Sequence, residues 1–159
     1  MTPLPALLSR RDTLALLGAT SLSIGLASAA DALPEILVHR DPSCGCCGAW
    51  AEHVRRVGFL VKIVETGDLN AVKQRLGVPA NLVSCHTAEV QGYVIEGHVP
   101  AAAIQRLLRD KPKAAGLAVP GMPIGSPGME GGTPETYEVV LFGPHGQRTF
   151  ARYKGSREI

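Results

Sequence analysis

The feature that most constrains the fold is a strand–helix–strand pattern over residues 35–64. Residues 35–39 form a short apolar run that ends at the turn signal of residues 41–43, which is typical of a buried strand. Apolar residues then recur at helical spacing until Gly58, and residues 59–64 are again apolar and β-branched. Two strands joined by a helix predict a right-handed βαβ unit with a parallel strand pair.

The middle of the chain predicts two more helices and one more strand. Asp68 is a good N-cap for a helix that should end at Gly77. Residues 91–96 have the composition of a strand. Pro100 suits the first position of a further helix, which should stop before Pro112.

The C-terminal part predicts a long loop and then a hairpin. Residues 119–133 are rich in glycine and proline and have no period, which indicates a loop. Residues 137–142 and 148–153 flank a turn and predict antiparallel strands. The expected fold is therefore α/β, with a mixed sheet that starts as a parallel βαβ unit and ends in an antiparallel hairpin.

Composition describes a globular chain without a nucleic-acid-binding surface. The 159 residues are 45% hydrophobic and 19% charged, with a formal charge of only +2. These values fit one folded domain and exclude an intrinsically disordered chain. Because no long Lys/Arg run or aromatic–basic stripe is present, we expect no nucleic-acid partner.

The first 29 residues predict an export signal. The pair Arg10-Arg11 precedes a short apolar run at 14–26, and an A-x-A cleavage site follows at 27–29. The arginine pair is typical of twin-arginine signals, although an N-terminal helix or a retained anchor is the alternative. Cleavage would leave residues 30–159 as a single domain in the periplasm, without a stable membrane span. That compartment is oxidising.

Three cysteines, Cys44, Cys46 and Cys47, lie in the turn between the first predicted strand and helix. A helix N-terminus favours thiolate over thiol, and thiolate is the form that attacks disulfides and binds metals. Cys44 and Cys47 form a Cys-x-x-Cys pair, the arrangement of a thioredoxin-like redox site. Cys46 is a third thiol that a dithiol catalyst does not need.

A fourth cysteine, Cys85, adjoins His86, and together with the first three it forms a soft ligand set. Soft thiolates suit Cu(I) and zinc, and crowded thiolates would be relieved of repulsion by bound cations. Three interpretations stay open at this point: a copper or zinc site, a redox dithiol formed by Cys44 and Cys47, or structural disulfides. Among the other histidines, His98 is the next ligand candidate.

Two methionines also have soft donor atoms. Apart from Met1, the chain contains only Met122 and Met129, and both lie in the glycine- and proline-rich loop. Methionine side chains usually fill gaps in the core, which residues of a loop seldom do. The methionine thioether is, however, a soft ligand for Cu(I). The alternative is that the loop covers the site through apolar contacts. His53 and His145 are expected to face solvent.

Four motifs together resemble the CopG-type copper-resistance family of small exported bacterial proteins, a former domain-of-unknown-function family. They are Cys-Gly-Cys-Cys-Gly-x-Trp at 44–50, Ser-Cys-His-Thr at 84–87, Gly-Tyr-Val-Ile-Glu-Gly-His-Val-Pro at 92–100 and the methionine-containing loop at 116–130. The resemblance extends over nearly all of the chain that follows the predicted signal.

This resemblance implies a thioredoxin-like fold and, in the periplasm, a copper site formed by a multinuclear cluster with bridging cysteines. It further implies cycling between Cu(I) and Cu(II) in copper resistance, with other envelope copper-handling proteins as partners. The ligands that the motifs imply are Cys44, Cys46, Cys47, Cys85, His86 and His98. The competing hypotheses are an envelope thiol–disulfide oxidoreductase and a zinc-stabilised module without turnover.

Overall fold

The computed structural model describes residues 33–159, which form a mixed α/β fold around one sheet. Its strands and helices, in chain order, are β1 Leu33–Arg40, α1 Gly45–Arg56, β2 Phe59–Glu65, α2 Leu69–Arg75, β3 His86–Val90, β4 Tyr93–Glu96, α3 Ala101–Asp110, β5 Gly116–Ala118, β6 Thr136–Gly143, β7 Gly146–Lys154 and β8 Arg157–Glu158. A short 3-10 helix, Ala80–Leu82, precedes β3. The order of the strands across the sheet is β2-β1-β3-β4-β5-β6-β7-β8.

The predicted βαβ unit is confirmed. Strands β1 and β2 pair in parallel, and α1 connects them. Trp50 and Val54 of α1 are fully buried, and the chain leaves the helix at Gly58 with a positive φ of 101°. Such a backbone favours glycine, which has no Cβ to clash there.

Three strands, β3, β5 and the two-residue β8, were not predicted, and one strand was predicted too long. Strand β3 begins at His86, and β5 is only three residues long, so neither had enough residues to display a period. The run at 91–96 becomes a strand only from Tyr93, because Gln91 and Gly92 have positive φ and turn the chain between β3 and β4.

The remaining elements follow the predictions closely. Asp68 caps α2 by accepting a hydrogen bond from the amide of Ala71 at 2.9 Å. Pro100 is the N-cap of α3 and not its first residue, and the helix ends before Pro112 as expected. Strands β6 and β7 form the antiparallel hairpin. The buried residue of α2 is Lys73.

The core lies on both faces of the sheet. Adjacent residues of a strand point to opposite faces, and the pairs Val94/Ile95 and Leu117/Ala118 accordingly divide between two apolar clusters. The larger cluster includes Trp50 of α1 together with residues of α3. The smaller cluster is on the opposite face, where residues near α2 and the 3-10 helix pack against it.

The topology brings the predicted motifs to one end of the sheet. In the antiparallel β1–β3 pair, Arg40 at the end of β1 faces His86 at the start of β3. In the next pair, Thr87 of β3 faces Glu96 at the end of β4, and Glu96 in turn faces Ala118 at the end of β5. The loops that carry the cysteines, the histidines and the methionines therefore all start or finish at this end.

The predicted export signal at residues 1–29 lies outside the described residues. Within residues 33–159 no helix is both long and apolar enough to span a membrane. The mixed sheet, its parallel start and its antiparallel C-terminal strands are as predicted, whereas the thioredoxin-like classification and the single domain of residues 30–159 stay predictions.

Candidate metal centre

The cysteine turn places a disulfide at the N-terminus of α1. Cys44 is the N-cap residue, and its sulfur is bonded to that of Cys47, with the two Cα atoms 5.4 Å apart. The amide of Cys44 donates to the carbonyl of Asp41 at 3.0 Å, which closes the turn after β1. The predicted redox pair is thus in its oxidised form, and free amides of the helix terminus lie beside it.

The other two cysteines are free thiols and lie beside the disulfide. The sulfur of Cys46 is 3.5 Å from that of Cys44 and 3.8 Å from that of Cys85. Cys85 belongs to the segment before β3, so this contact joins two motifs 39 positions apart in the chain. The thiol that a simple dithiol catalyst does not need, Cys46, is therefore the link between the two halves of the cluster.

His98 presents a free nitrogen lone pair to the sulfurs. Its Nδ1 lies 2.8 Å from the carbonyl oxygen of Pro127, and a carbonyl can only accept, so Nδ1 carries the proton. The other nitrogen, Nε2, is then unprotonated and lies 3.0 Å from the sulfur of Cys85. Metal-binding histidines usually have this arrangement, with one nitrogen donating to a backbone carbonyl.

His86 is fully buried, and one of its nitrogens has no partner. Its Nδ1 lies 3.4 Å from the sulfur of Cys85, while Nε2 has no hydrogen bond although it is buried. The ring packs against Trp50, with the ring centroids 4.4 Å apart, and it meets the His98 ring edge-on at 5.1 Å. A buried nitrogen without a partner is costly, so it fits a ligand position better than a purely structural one.

These side chains form two candidate metal-binding groups that share one sulfur. Ligand atoms of Cys44, Cys46, Cys47 and Cys85 lie within 4.8 Å of one another, and the same is true of Cys85, His86 and His98. The first group has sulfur donors alone, and the second adds two imidazoles. Cys85 belongs to both groups, so its sulfur is placed where it could bridge two ions.

Burial favours the neutral forms of Cys85, His86 and His98 in the absence of metal. Burial, followed by the nearby charge of Cys46, raises the pKa of Cys85 to about 12. Burial also lowers the pKa of His98, and it lowers that of His86 well below the ordinary value. A neutral imidazole is the ligand form, and a bound cation would displace the Cys85 proton. The donor set therefore fits a soft cation such as Cu(I).

The methionine loop packs on the helix that carries the cysteines. A Cβ added to Gly128 would lie 2.7 Å from the amide nitrogen of Trp50 and 2.8 Å from the carbonyl oxygen of Cys46, so the two backbones are in close contact. Met129 is half-buried, whereas Met122 is 51% exposed. The ligand role of the two thioethers stays a prediction, as does that of the four cysteines, His86 and His98.

Sequence reasoning missed two ion pairs that lie next to the cysteine-containing segments. Arg40 Nη1 donates to the carbonyl of Cys44 at 2.9 Å, and its Nη2 lies 2.7 Å from Glu65. Lys73 and Glu96 form a buried ion pair at 2.6 Å beside the Cys85 segment. Both pairs join residues more than twenty positions apart, so no local pattern could have identified them.

Two of the other three histidines, His53 and His39, have structural contacts. His53 was expected to face solvent, but it is half-buried, and its Nε2 accepts the amide of Ala101 at 3.1 Å and so caps α3. His39 lies 2.8 Å from a carboxylate oxygen of Glu89. His145 is exposed, as expected.

Comparison with known proteins finds one matching family and two similar solved structures. A family described as a protein of unknown function, DUF411, matches residues 82–129. No curated protein matches the chain. Two solved structures are similar to it, described as Form 1 and Form 2 of the copper resistance protein CopG. Form 1 shares 47% identity over 77% of this chain and 99% of its own length, with a TM-score of 0.72. Form 2 shares 48% identity over 75% and 97%, with a TM-score of 0.71.

Proposed function

Because the chain belongs to the CopG family of copper resistance proteins, we propose that it binds copper ions at the cysteine cluster. The ions are its substrate or cargo, and Cys44, Cys46, Cys47, Cys85, His86 and His98 are the proposed ligands. Two or more ions share the site, bridged by cysteine sulfur. Met122 and Met129 are proposed as additional thioether ligands from the covering loop.

The observation that carries this proposal is the position of Cys46. Its sulfur lies within 4 Å of the sulfurs of both Cys44 and Cys85. Together with His98 Nε2 and His86 Nδ1, which lie 3.0 and 3.4 Å from the sulfur of Cys85, the sulfurs form a compact donor set. Thiolates favour Cu(I), and imidazoles accommodate copper in either common oxidation state.

The disulfide supports a redox part of the proposal. When the thiols of Cys44 and Cys47 are reduced, they can give one electron each to two Cu(II) ions. The products are two Cu(I) ions, the Cys44–Cys47 disulfide and two protons, so atoms and electrons balance. Cu(II) added to the reduced protein under argon should yield one Cu(I) per thiol lost, measured with a Cu(I)-specific chromophoric chelator and a thiol assay.

Anaerobic Cu(I) titration of the reduced protein, with metal analysis, tests the binding proposal. We expect bound copper, and we expect Cys46→Ser to lower the stoichiometry or affinity as strongly as Cys44→Ser. Each change removes one thiolate from the same group of sulfurs. The matched control is Ser43→Ala, next to the cluster in the chain. A stoichiometry near zero, or full binding by Cys46→Ser, would reject the proposal.

A second candidate is a thiol–disulfide oxidoreductase that uses Cys44 and Cys47. The specific observation in its favour is the disulfide at the N-terminus of α1, where a thiolate leaving group is stabilised. This function predicts that the metal-free protein exchanges electrons with a model disulfide and that Cys46→Ser and Cys85→Ser are as active as wild type. Inactivity of the metal-free protein would count against it.

The location is proposed from the sequence and the family. Arg10-Arg11, the apolar run and the A-x-A site at 27–29 indicate export and cleavage, which leaves residues 30–159 as one periplasmic domain. There it would exchange copper with other envelope proteins. Replacing both arginines with lysine should retain the uncleaved precursor in the cytoplasm, as fractionation and mass spectrometry would show, and normal export of that variant would contradict a twin-arginine signal.

A further inference from the structure

Glu96 is a fully buried carboxylate with three hydrogen-bond donors around it. Its Oε1 accepts from the Lys73 ammonium and from the backbone amide of Ser84, each at 2.6 Å. Its Oε2 accepts from the hydroxyl of Thr87 at 2.7 Å. The Lys73 ammonium also donates to that hydroxyl at 2.9 Å, so the four groups form a closed network.

The two oxygens of Glu96 hold the chain on both sides of a ligand pair. Ser84 directly precedes Cys85, and Thr87 directly follows His86. The amide after Glu96, that of Gly97, donates to the carbonyl of His86 at 3.0 Å. The Glu96 carboxylate thus holds the residue before and the residue after the Cys85–His86 dipeptide. The neighbouring Gly97 amide holds the His86 carbonyl between them.

Stability alone does not account for this ion pair. Lys73 and Glu96 are 5% and 0% exposed, and removing two charges from water costs about as much as their attraction returns. An apolar pair of similar volume would pack the core equally well. What such a pair could not do is accept hydrogen bonds from Ser84 and Thr87.

We propose that Glu96, neutralised by Lys73, is a positioning residue that holds the Cys85–His86 dipeptide in the geometry needed to bind copper. This inference rests on the proposed copper site. Neither side chain touches the ions. Glu96 acts through the backbone of Ser84 and the side chain of Thr87, and Lys73 supplies the charge that allows a carboxylate to be buried there.

The test compares two double variants that both remove the buried charges. Lys73→Met/Glu96→Leu has no acceptor for Ser84 and Thr87, whereas Lys73→Met/Glu96→Gln keeps an amide oxygen in the same place. The matched control is Glu89→Gln, a carboxyl-to-amide change on β3 at a residue that pairs with His39 and Arg75. Cu(I) affinity is measured for the reduced proteins by competition with a chromophoric chelator, beside thermal unfolding.

We expect the leucine double variant to bind Cu(I) about 10- to 100-fold more weakly than wild type, as is usual when a ligand loses its supporting hydrogen bonds. The glutamine double variant and Glu89→Gln should stay close to wild type. A rescue by glutamine, at equal thermal stability, separates positioning from a general effect on folding. Wild-type affinity in the leucine double variant would overturn the inference.

A metal-free measurement keeps the inference separate from the copper proposal. Hydrogen exchange at the Gly97 amide reports whether the His86 backbone is still held. If wild type bound no copper, the proposed function would fail. Separately, unchanged exchange of the Gly97 amide in the leucine double variant would overturn the positioning role of Glu96. Should that variant not fold, Thr87→Val removes one side of the network, and it should lower Cu(I) affinity; wild-type affinity there would overturn the inference.

Discussion

At the scale of single residues, one backbone carbonyl determines which nitrogen of His98 is free. The carbonyl oxygen of Pro127 accepts from Nδ1, so the lone pair of Nε2 faces the sulfur of Cys85. His86 beside it has a buried nitrogen without a partner. Sequence alone predicted both histidines as ligands from their neighbours in the motifs, but the tautomer of His98 depends on a contact with a residue 29 positions away and has no local signal.

His86→Leu should separate ligand binding from stability. The substitution removes a buried unpaired nitrogen, so the free energy of unfolding of the metal-free protein should stay within about 1 kcal/mol of wild type. The increase in thermal stability on adding Cu(I) should shrink, because one proposed ligand is lost. Thermal unfolding with and without Cu(I) measures both effects.

His53→Leu is a control for which we expect the opposite result, a loss of stability without a loss of Cu(I) binding. It removes the acceptor for the Ala101 amide at the start of α3, so it should destabilise the metal-free protein by about 1 kcal/mol and leave Cu(I) binding intact. If His86→Leu behaved like His53→Leu, His86 would be structural.

At the scale of elements, the site is assembled from the ends of β1, β3, β4 and β5. Register places Arg40 opposite His86 and Thr87 opposite Glu96, so loops far apart in the chain meet at one end of the sheet. The βαβ unit and the hairpin could be predicted because their apolar runs are long enough to display a period. Strand β5 could not, because three residues carry no periodicity and its pairing with β4 and β6 is what makes it a strand.

The loop after β5 should affect copper binding through its contact with α1. Gly128 has a φ of 87°, and a Cβ there would overlap the backbone of Trp50 and Cys46. We expect Gly128→Ala to push the loop off the helix, weaken the Pro127–His98 hydrogen bond and lower Cu(I) affinity in a chelator competition.

Gly131→Ala is the matched control for this prediction. Gly131 also has a positive φ, 112°, but no atom lies within 4 Å of an added Cβ. The positive φ strains an alanine at either position. Only the alanine at position 128 would also clash with the backbone of α1. Equal Cu(I) affinities for the two variants would show that the contact between loop and helix is irrelevant to the site.

At the scale of the whole molecule, most of the apolar core lies away from the sulfur cluster, although Trp50 packs against His86 and Cys47 is fully buried. The large core cluster comprises residues of the sheet, α1 and α3, and none of the four cysteines belongs to it. The fold should therefore persist when the disulfide is reduced. The buried Lys73–Glu96 pair connects core and cluster, and the sequence could not reveal it, because a lysine on a short helix ordinarily faces solvent.

Reduction of the disulfide should lower stability only moderately. The bridge joins residues three positions apart, so chain entropy allows a contribution of about 2 kcal/mol at most. Thermal unfolding of the reduced, metal-free protein should remain cooperative, with a Tm roughly 5 to 10 °C lower. Cu(I) at 100 times its Kd should restore about 2.7 kcal/mol. Loss of cooperative unfolding on reduction would contradict the expectation that the fold persists without the disulfide.

The central claim, that copper is held by the cysteine cluster, is tested most directly by X-ray absorption at the copper edge. The sample is the reduced chain loaded with Cu(I) under argon. We predict a first coordination shell dominated by sulfur, an imidazole contribution that decreases in His98→Ala, and a copper–copper distance that reports more than one ion. A first shell of nitrogen and oxygen alone would contradict the account.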